Sequence, residues 1–242
     1  MEEKDQRASA ASFVSLTDEE STKEVVASVI GGLWEAVNEL TRLRPSKRER
    51  YHVSIFGSAR VEQGNEYYNA VRDLARALAE MDCNIITGGG PGMMQAANEG
   101  AAEVDSGYLD RSVGIRVDLP FEQDVNPFVQ SAFEHKTFFT RLHHFVLASD
   151  AFIVVPGGIG TVLEAMMVWQ LLQVRHVTKT PLVFVGEMWE ELVAWGRKYM
   201  LDERGQLASP EDFDIPICVR TAGEVIEVIS KSRNQWLTER QG

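Results

Sequence analysis

The pattern of apolar and polar positions changes along the chain in a regular way from residue 51 onwards. Short apolar runs, typical of buried strands, alternate with longer stretches in which apolar residues recur every three or four positions, as on one face of a helix. The runs predict strands at Tyr51–Phe56, Asn84–Thr87, Ser112–Val117, Ala151–Val155 and Pro181–Val185, with a short one at Ile215–Val219. The longer stretches predict helices at Asn65–Met81, Met93–Val104, Lys136–Ala148, Gly160–Val174, Trp189–Leu201 and Ala222–Trp236. Because strands that alternate with helices form a parallel sheet covered on both faces, we expect a three-layer α/β domain over residues 51–242.

The first 50 residues follow a different pattern. Residues 1–16 are mostly polar or small, and we expect a disordered tail. Residues 17–50 predict a helical extension, which begins with a capping box at Thr17–Glu20 and ends in a basic linker around Pro45. Five apolar residues at spacings of four and three give this helix one apolar stripe: Val26, Ile30, Leu33, Val37 and Leu40. Such a stripe packs either on its own domain or on a partner chain, and the spacing leaves both open.

Composition indicates an ordinary globular protein. Of the 242 residues, 44% are hydrophobic and 25% are charged. The chain contains no apolar run near the roughly 18 residues of a membrane helix and no hydrophobic signal region near Met1, so we expect a cytoplasmic protein that does not bind membranes. The two cysteines, Cys83 and Cys218, lie in apolar contexts, and we expect small packing residues there, without a disulfide or a zinc site.

The charge balance narrows the class of partner. Acidic residues outnumber basic ones, 36 to 24, which gives a formal net charge of −12. An acidic surface repels polyanions, so we expect no binding to nucleic acid. A local phosphate site made from backbone N–H groups stays compatible with this balance. The five histidines show no metal-binding pattern, and we expect no metal.

Three of the predicted strands end in glycine-containing turns: Gly57–Ser58, Gly88–Gly92 and Gly157–Gly160. In an open parallel sheet, ligands bind beyond the carboxyl ends of the strands, so we expect the three turns to converge on one crevice. None of them is a Walker A loop, because no Gly–Lys–Ser/Thr follows, and none is the dinucleotide fingerprint. Each turn alone is as compatible with a plain loop as with a ligand site.

The turn Pro156–Thr161 carries the clearest chemistry. It joins a buried strand to the start of a helix, where backbone N–H groups and the positive end of the helix dipole point at one place. Such a turn favours a phosphate. Glu164 follows in what we expect to be the first helical turn, and an acid beside an anion site suggests a nucleotide that is acted upon.

Together these segments resemble the Lonely Guy (LOG) family. The resemblance rests on four segments in the same order, Phe56–Ser58, Thr87–Met94, Phe138–Arg141 and Pro156–Glu164, and covers roughly Tyr51–Val185. It implies a Rossmann-like fold and hydrolysis of the N-glycosidic bond of a nucleoside 5′-monophosphate, such as AMP or a cytokinin riboside monophosphate. The products are a free base and ribose 5-phosphate. It also implies no cofactor, and a homodimer or a larger homo-oligomer.

The resemblance assigns roles to particular residues. Arg141 and Glu164 occupy the positions of the family's catalytic pair. The residues that match the family's substrate-binding turns are Gly57, Ser58, Gly88, Gly89, Gly90, Gly157, Gly158, Gly160 and Thr161. The chain departs from the pattern in three places: Leu142 stands where a lysine is common, Leu163 where an acid is common, and the segment Phe133–Phe139 where plant-type members often have a Met–His pair before the arginine. The same superfamily resembles proteins that bind nucleotides or the molybdenum cofactor without catalysis, and this remains the alternative function.

Other polar residues near these segments carry weaker expectations. Asn98 and Glu99 follow the second glycine turn, and we expect them to be structural. His135 lies close to the expected site, whereas the adjacent His143 and His144 face different directions on a helix.

Overall fold

The computed structural model describes residues 23–30, 49–104, 111–117, 125–201 and 207–241. The chain divides into two compact units, Met1–Lys47 and Arg48–Gly242. In the first unit, residues 23–30 are helical, and both Val26 and Ile30 are exposed. Three further parts of the prediction lie outside the described residues: the tail 1–16, the capping box 17–20 and the rest of the apolar stripe from Leu33 to Leu40.

The second unit alternates strands and helices. The strands are β1 (Tyr51–Phe56), β2 (Cys83–Thr87), β3 (Ser112–Val117), β4 (Ser131–His135), β5 (Ala151–Val154), β6 (Leu182–Val185) and β7 (Pro216–Val219). The helices are α1 (Glu66–Glu80), α2 (Met93–Ala102), α3 (Phe138–Ala148), α4 (Ile159–Gln173), α5 (Glu187–Met200) and α6 (Ala222–Gln241), with a short 3₁₀ helix at Pro210–Asp214. None of the helices in the described ranges is long and apolar enough to cross a membrane.

The seven strands form one parallel sheet in the order β4-β3-β2-β1-β5-β6-β7. From β1 the chain builds outwards through β2, β3 and β4, and then returns to the other side of β1 with β5. Val53 on β1 pairs with Ala151 on β5, and Phe56 pairs with Val154. The order of the strands therefore reverses between β1 and β5. In sheets of this kind the ligand crevice lies outside the carboxyl ends of the strands at such a switch point.

Each face of the sheet carries its own hydrophobic core, as a three-layer arrangement requires. Alternation along β5 shows this: Ile153 packs with α1, α2 and α6, whereas its neighbours Phe152 and Val154 pack with α3, α4 and α5. The sequence prediction of a Rossmann-like α/β fold is confirmed. The bounds of β1 and β3 coincide with the predicted ones, and most other ends differ by one to three residues.

The prediction missed β4 and placed the start of α3 too early. The strand β4 lies at the edge of the sheet and is exposed or half-buried along its whole length, so it lacks the apolar run of a buried strand. Helix α3 begins at Phe138 and not at Lys136, because Thr137 is the N-cap and its hydroxyl accepts a hydrogen bond from the Thr140 N–H.

The two cysteines are free thiols. Cys83 is fully buried in the core against α1, and burial raises the pKa of its thiol to about 12. Cys218 is half-buried on β7. Both observations agree with a packing role.

Candidate active site

The turn between β5 and α4 forms an open backbone surface. Gly158 is the N-cap of α4, and no side chain in the described ranges caps this end of the helix. A Cβ added at Gly158 or Gly160 would meet no other atom within 4 Å, whereas one at Gly157 would overlap the side chain of Thr161. The first N–H groups of a helix lack acceptors within the helix. Among the described residues, the turn therefore presents helix N–H groups towards open space, an arrangement that favours the binding of a phosphate.

The turn after β1 is tied to this surface. The Ser58 N–H donates to the Pro156 carbonyl at 3.2 Å, and the Ser58 carbonyl accepts from the Met93 N–H at 2.8 Å. A Cβ at Gly57 would lie 2.5 Å from Val155 Cγ2 and 2.9 Å from Met93 Cβ. Gly57 is buried, and because it has no side chain, the end of β1 lies close to both Val155 and Met93. Ser58 connects the three turns.

The turn after β2 lies against the side chains of Arg141 and Met94. Gly89 has a φ of 72°, a conformation that favours glycine, and its N–H donates to Thr87 Oγ1 at 2.9 Å. A Cβ at Gly88 would lie 2.5 Å from Arg141 Nη2 and 2.6 Å from Met94 Sδ, and one at Gly90 would lie 2.9 Å from Met94 Cε. The bare backbone at Gly88 thus gives Arg141 the room that it occupies.

A buried amide network fixes this turn. The Asn126 side chain donates to the carbonyls of Gly89 and Gly90, each at 3.0 Å. Asn98 is fully buried, and its Oδ1 accepts from Asn126 Nδ2 at 3.0 Å and from Thr87 Oγ1 at 2.6 Å. The structural role expected for Asn98 is confirmed. Asn126 was missed, because a single asparagine in a loop gives no signal of the backbone groups that it will reach.

Arg141 and Glu164 form a nearly buried ion pair. Arg141 Nη1 lies 2.9 Å from Glu164 Oε1, and the side chains are 11% and 12% exposed. Arg141 also donates from Nε to the Ile115 carbonyl at 2.9 Å, and its guanidinium lies 5.2 Å from the centre of the Phe145 ring. Carbonyl, carboxylate and ring together hold the guanidinium in one orientation.

The position of Glu164 differs from the expectation. The first turn of α4 contains no acidic residue, since the helix begins at Ile159 and Glu164 lies in its second turn. Its carboxylate pairs with Arg141 on α3. Burial raises the pKa of Glu164 above the usual glutamate value, although the charge and the hydrogen bond of Arg141 offset part of the rise. A carboxylate with a raised pKa is suited to accept a proton near neutral pH.

Two of the departures from the LOG pattern, Leu142 and Leu163, have different surroundings. Leu142, where a lysine is common, is 9% exposed and belongs to the buried face of α3. Leu163, where an acid is common, is 49% exposed beside Glu164. Neither replaces a member of the ion pair. Within the described ranges, no group of three or more histidine, cysteine, aspartate or glutamate side chains is arranged to hold a metal ion.

Known structures share the arrangement of the sheet. The molybdenum cofactor carrier protein of Chlamydomonas reinhardtii is 16% identical with a TM-score of 0.56, over 76% of this chain and 98% of that one. The molybdenum cofactor binding protein of Rippkaea orientalis is 17% identical with a TM-score of 0.55, over 76% and 98% of the two chains. At this level of identity the likeness concerns the fold alone.

A sequence relative carries the name of an enzyme. The pyrimidine/purine nucleotide 5′-monophosphate nucleosidase of Escherichia coli (strain K12) is 33% identical over 112 residues. The match covers 45% of this chain and 24% of the length of that protein. The family model described as "Possible lysine decarboxylase" matches residues 94–229, which include Arg141, Glu164 and the turn between β5 and α4. The chain therefore belongs to this family, the LOG-like proteins formerly described as lysine decarboxylases.

Proposed function

We propose that this protein hydrolyses the N-glycosidic bond of a nucleoside 5′-monophosphate such as AMP, and releases the free base and ribose 5-phosphate. The observation that carries the proposal is the buried pair Arg141–Glu164 beside an open, N–H-lined turn. A nucleotide needs both: a place for its phosphate and a charged group at the bond that breaks. The nucleosidase relative supports the same class of reaction.

In this proposal the 5′-phosphate binds at the N-terminus of α4. The N–H groups of Ile159, Gly160 and Thr161 begin the helix and have no acceptors within it. The helix dipole adds a favourable interaction of about 0.3–1 kcal/mol for a negative charge, and more where the site is partly buried. Glu164 lies in the next turn of the same helix, so the bound phosphate fixes the ribose relative to the carboxylate.

Cleavage of the ribosyl–base bond develops positive charge at C1′. The ionised Glu164 stabilises this charge and accepts a proton from the attacking water, whose oxygen bonds to C1′ as the C1′–N bond breaks. Arg141 keeps the carboxylate ionised and aimed. Its own charge stays fixed, since a guanidinium does not lose its proton in proteins. Every step of this route uses side chains of the chain and water.

The second candidate is a protein that binds a nucleotide or the molybdenum cofactor without turnover. One observation favours it: Glu164, the Ile115 carbonyl and the Phe145 ring hold Arg141 in one orientation, so the pair also serves as a fixed part of a binding crevice. Chromatography of AMP after incubation with the protein separates the two functions. Free adenine and ribose 5-phosphate support the hydrolase. Binding without turnover across a panel of nucleoside monophosphates supports the carrier.

We also propose that the protein assembles as a homodimer or a larger homo-oligomer. Large apolar side chains are exposed near the N-terminal ends of α3 and α4: Phe138 (44%), Phe139 (78%), Ile159 (87%) and Leu163 (49%). Exposed apolar clusters of this kind mark interaction surfaces. Light scattering on the full chain and on a chain that begins near Lys47 tests this. A monomeric full chain contradicts the proposal, and an assembly that survives the shortening excludes the N-terminal helix from the interface.

A further inference from the structure

Two histidines meet beside the ion pair, and the route proposed above uses neither. His135 is the last residue of β4, and its Nε2 lies 2.9 Å from Nδ1 of His144 on α3. The two rings are 5.1 Å apart, and the ring of Phe133 packs edge-on against His144 at 4.8 Å. His135 is therefore held by a specific partner at the carboxyl edge of the sheet.

This histidine pair lies next to Arg141. His144 follows Arg141 by three positions on α3, which places the two side chains on neighbouring parts of one helix face. Arg141 binds the carbonyl of Ile115 on β3, and β3 pairs with β4 through Val117 and His135. Neighbouring strands are about 4.8 Å apart, so His135 lies one strand away from the strand that anchors the guanidinium.

Among the residues that the structure describes, few charged groups face His135. From α3 these are His144 and Arg141, and the residue opposite on β3 is the uncharged Val117. The ion pair between Arg116 and Glu134 belongs to the other face of the sheet, because successive side chains of a strand alternate. Burial lowers the pKa of His135 below the ordinary histidine value, and the charge of Arg141 lowers it further. A protonated His135 is thus a stronger acid than a free histidine.

The proposed reaction needs such an acid. When C1′–N breaks, the electron pair leaves with the base, and a purine anion is a poor leaving group unless it takes up a proton. Arg141 stays a cation, and Glu164 is engaged in taking the proton of the attacking water. Histidine is the side chain whose ordinary pKa suits proton transfer near neutral pH.

We propose that His135, oriented by His144, donates a proton to the departing base. This inference rests on the proposed nucleotide hydrolysis. As the C1′–N electron pair moves to the base, the proton of His135 passes to a ring nitrogen of that base. The water oxygen bonds to C1′ and gives its proton to Glu164. Solvent then reprotonates His135 and takes the proton from Glu164, so the net reaction consumes one water.

The test compares leaving groups that need a proton with leaving groups that do not. The substrates are AMP, nicotinamide mononucleotide, and GMP with its N7-methylated form. Nicotinamide and 7-methylguanine depart from cationic nucleotides as neutral molecules. The variants are His135→Phe and His135→Gln, with His176→Asn as a control, because His176 is an exposed histidine in the turn after α4. Circular dichroism and thermal melting confirm that each variant is folded.

We expect His135→Phe to lower kcat on AMP and GMP by about 10²–10⁴-fold, with changes of less than about threefold on the cationic substrates. In the wild-type protein, we expect kcat/KM on AMP to fall as the pH rises through the pKa of His135. With the cationic substrates, we expect no such fall, because their leaving groups need no proton. Equal losses on both kinds of substrate, or no loss on AMP, overturn the inference and leave His135 as a structural link between β4 and α3. Failure of the wild-type protein to cleave any monophosphate refutes the proposed function itself.

Discussion

The ion pair between Arg141 and Glu164 gives the sharpest prediction. Glu164→Gln keeps the size of the side chain and an oxygen that accepts a hydrogen bond from Arg141, but it removes the negative charge. If Glu164 accepts the proton of the attacking water, loss of that function lowers kcat by about 10²–10⁴-fold. At 1.36 kcal/mol for each factor of ten, this corresponds to about 3–5 kcal/mol of transition-state stabilisation.

The same variant has a small expected effect on stability. Burial raises the pKa of Glu164, which means that the ionised carboxylate is held in the fold at a cost above that pKa. The neutral amide removes this cost and at the same time loses the ion pair. Because the pKa of Glu164 is raised even with Arg141 beside it, we expect the amide to leave the free energy of unfolding unchanged or to increase it, by up to about 2 kcal/mol or roughly 8 °C in Tm.

The Arg141→Ala variant provides the contrast. It leaves the carboxylate of Glu164 buried without its cation, which costs about 3–5 kcal/mol in comparable buried pairs. Steady-state kinetics on AMP measure kcat, calorimetric titration measures the affinity for AMP, and thermal melting measures the stability of each variant. Glu164→Gln is expected to bind AMP about as well as the wild-type protein. A kcat within about threefold of wild type for this variant refutes the role of Glu164 in the reaction.

Three further predictions follow from the crevice. Gly88→Ala places a Cβ where it overlaps Arg141 Nη2 and Met94 Sδ, so we expect kcat on AMP to fall at least about tenfold. Gly223→Ala is the matched control, because a Cβ there meets nothing closer than 4.0 Å. Equal kcat values for the two variants contradict the role of Gly88 in giving Arg141 room. Adenosine, which lacks the phosphate, is expected to have a kcat/KM at least about 100-fold below that of AMP. Similar kcat/KM values for adenosine and AMP contradict the assignment of the turn between β5 and α4 as the phosphate site. The kcat/KM on AMP is expected to fall as the pH decreases through the raised pKa of Glu164, above the ordinary glutamate value of about 4.3, and a pH profile that stays flat down to about pH 4.3 removes the carboxylate as base.

The sequence predicts the sheet well because buried strands and amphipathic helices leave a direct trace in the order of apolar residues. The edge strand β4 shows no such pattern of apolar residues, since neither of its faces is fully buried. The same limit affects the site. The family motifs single out Arg141 and Glu164 separately, but their pairing depends on the rotation of α3 and α4 about their axes. Local sequence does not determine that rotation, and with either the predicted start at Gly160 or the observed start at Ile159 Glu164 lies beyond the first turn of α4.

Glycines show a related difference between pattern and structure. All the turn glycines are similar in the sequence, whereas the structure separates them by what occupies the place of a Cβ. Val155 and Met93 fill it at Gly57, Arg141 fills it at Gly88, and nothing fills it at Gly158. Only three-dimensional packing distinguishes a glycine that admits a neighbour from one that leaves space for a ligand.

The switch point between β1 and β5 has a consequence for the folding of the chain. The two strands that flank the switch point are far apart in sequence: the His52 N–H donates to Asp150 Oδ2, 98 positions away. Contacts of such long sequence separation form late, because the entropy of closing the loop must first be overcome. The crevice therefore does not exist on a nascent chain until α4 has been synthesised and β5 has docked on β1. In refolding, we expect recovery of the crevice to report this docking and not the pairing of β1 with β2.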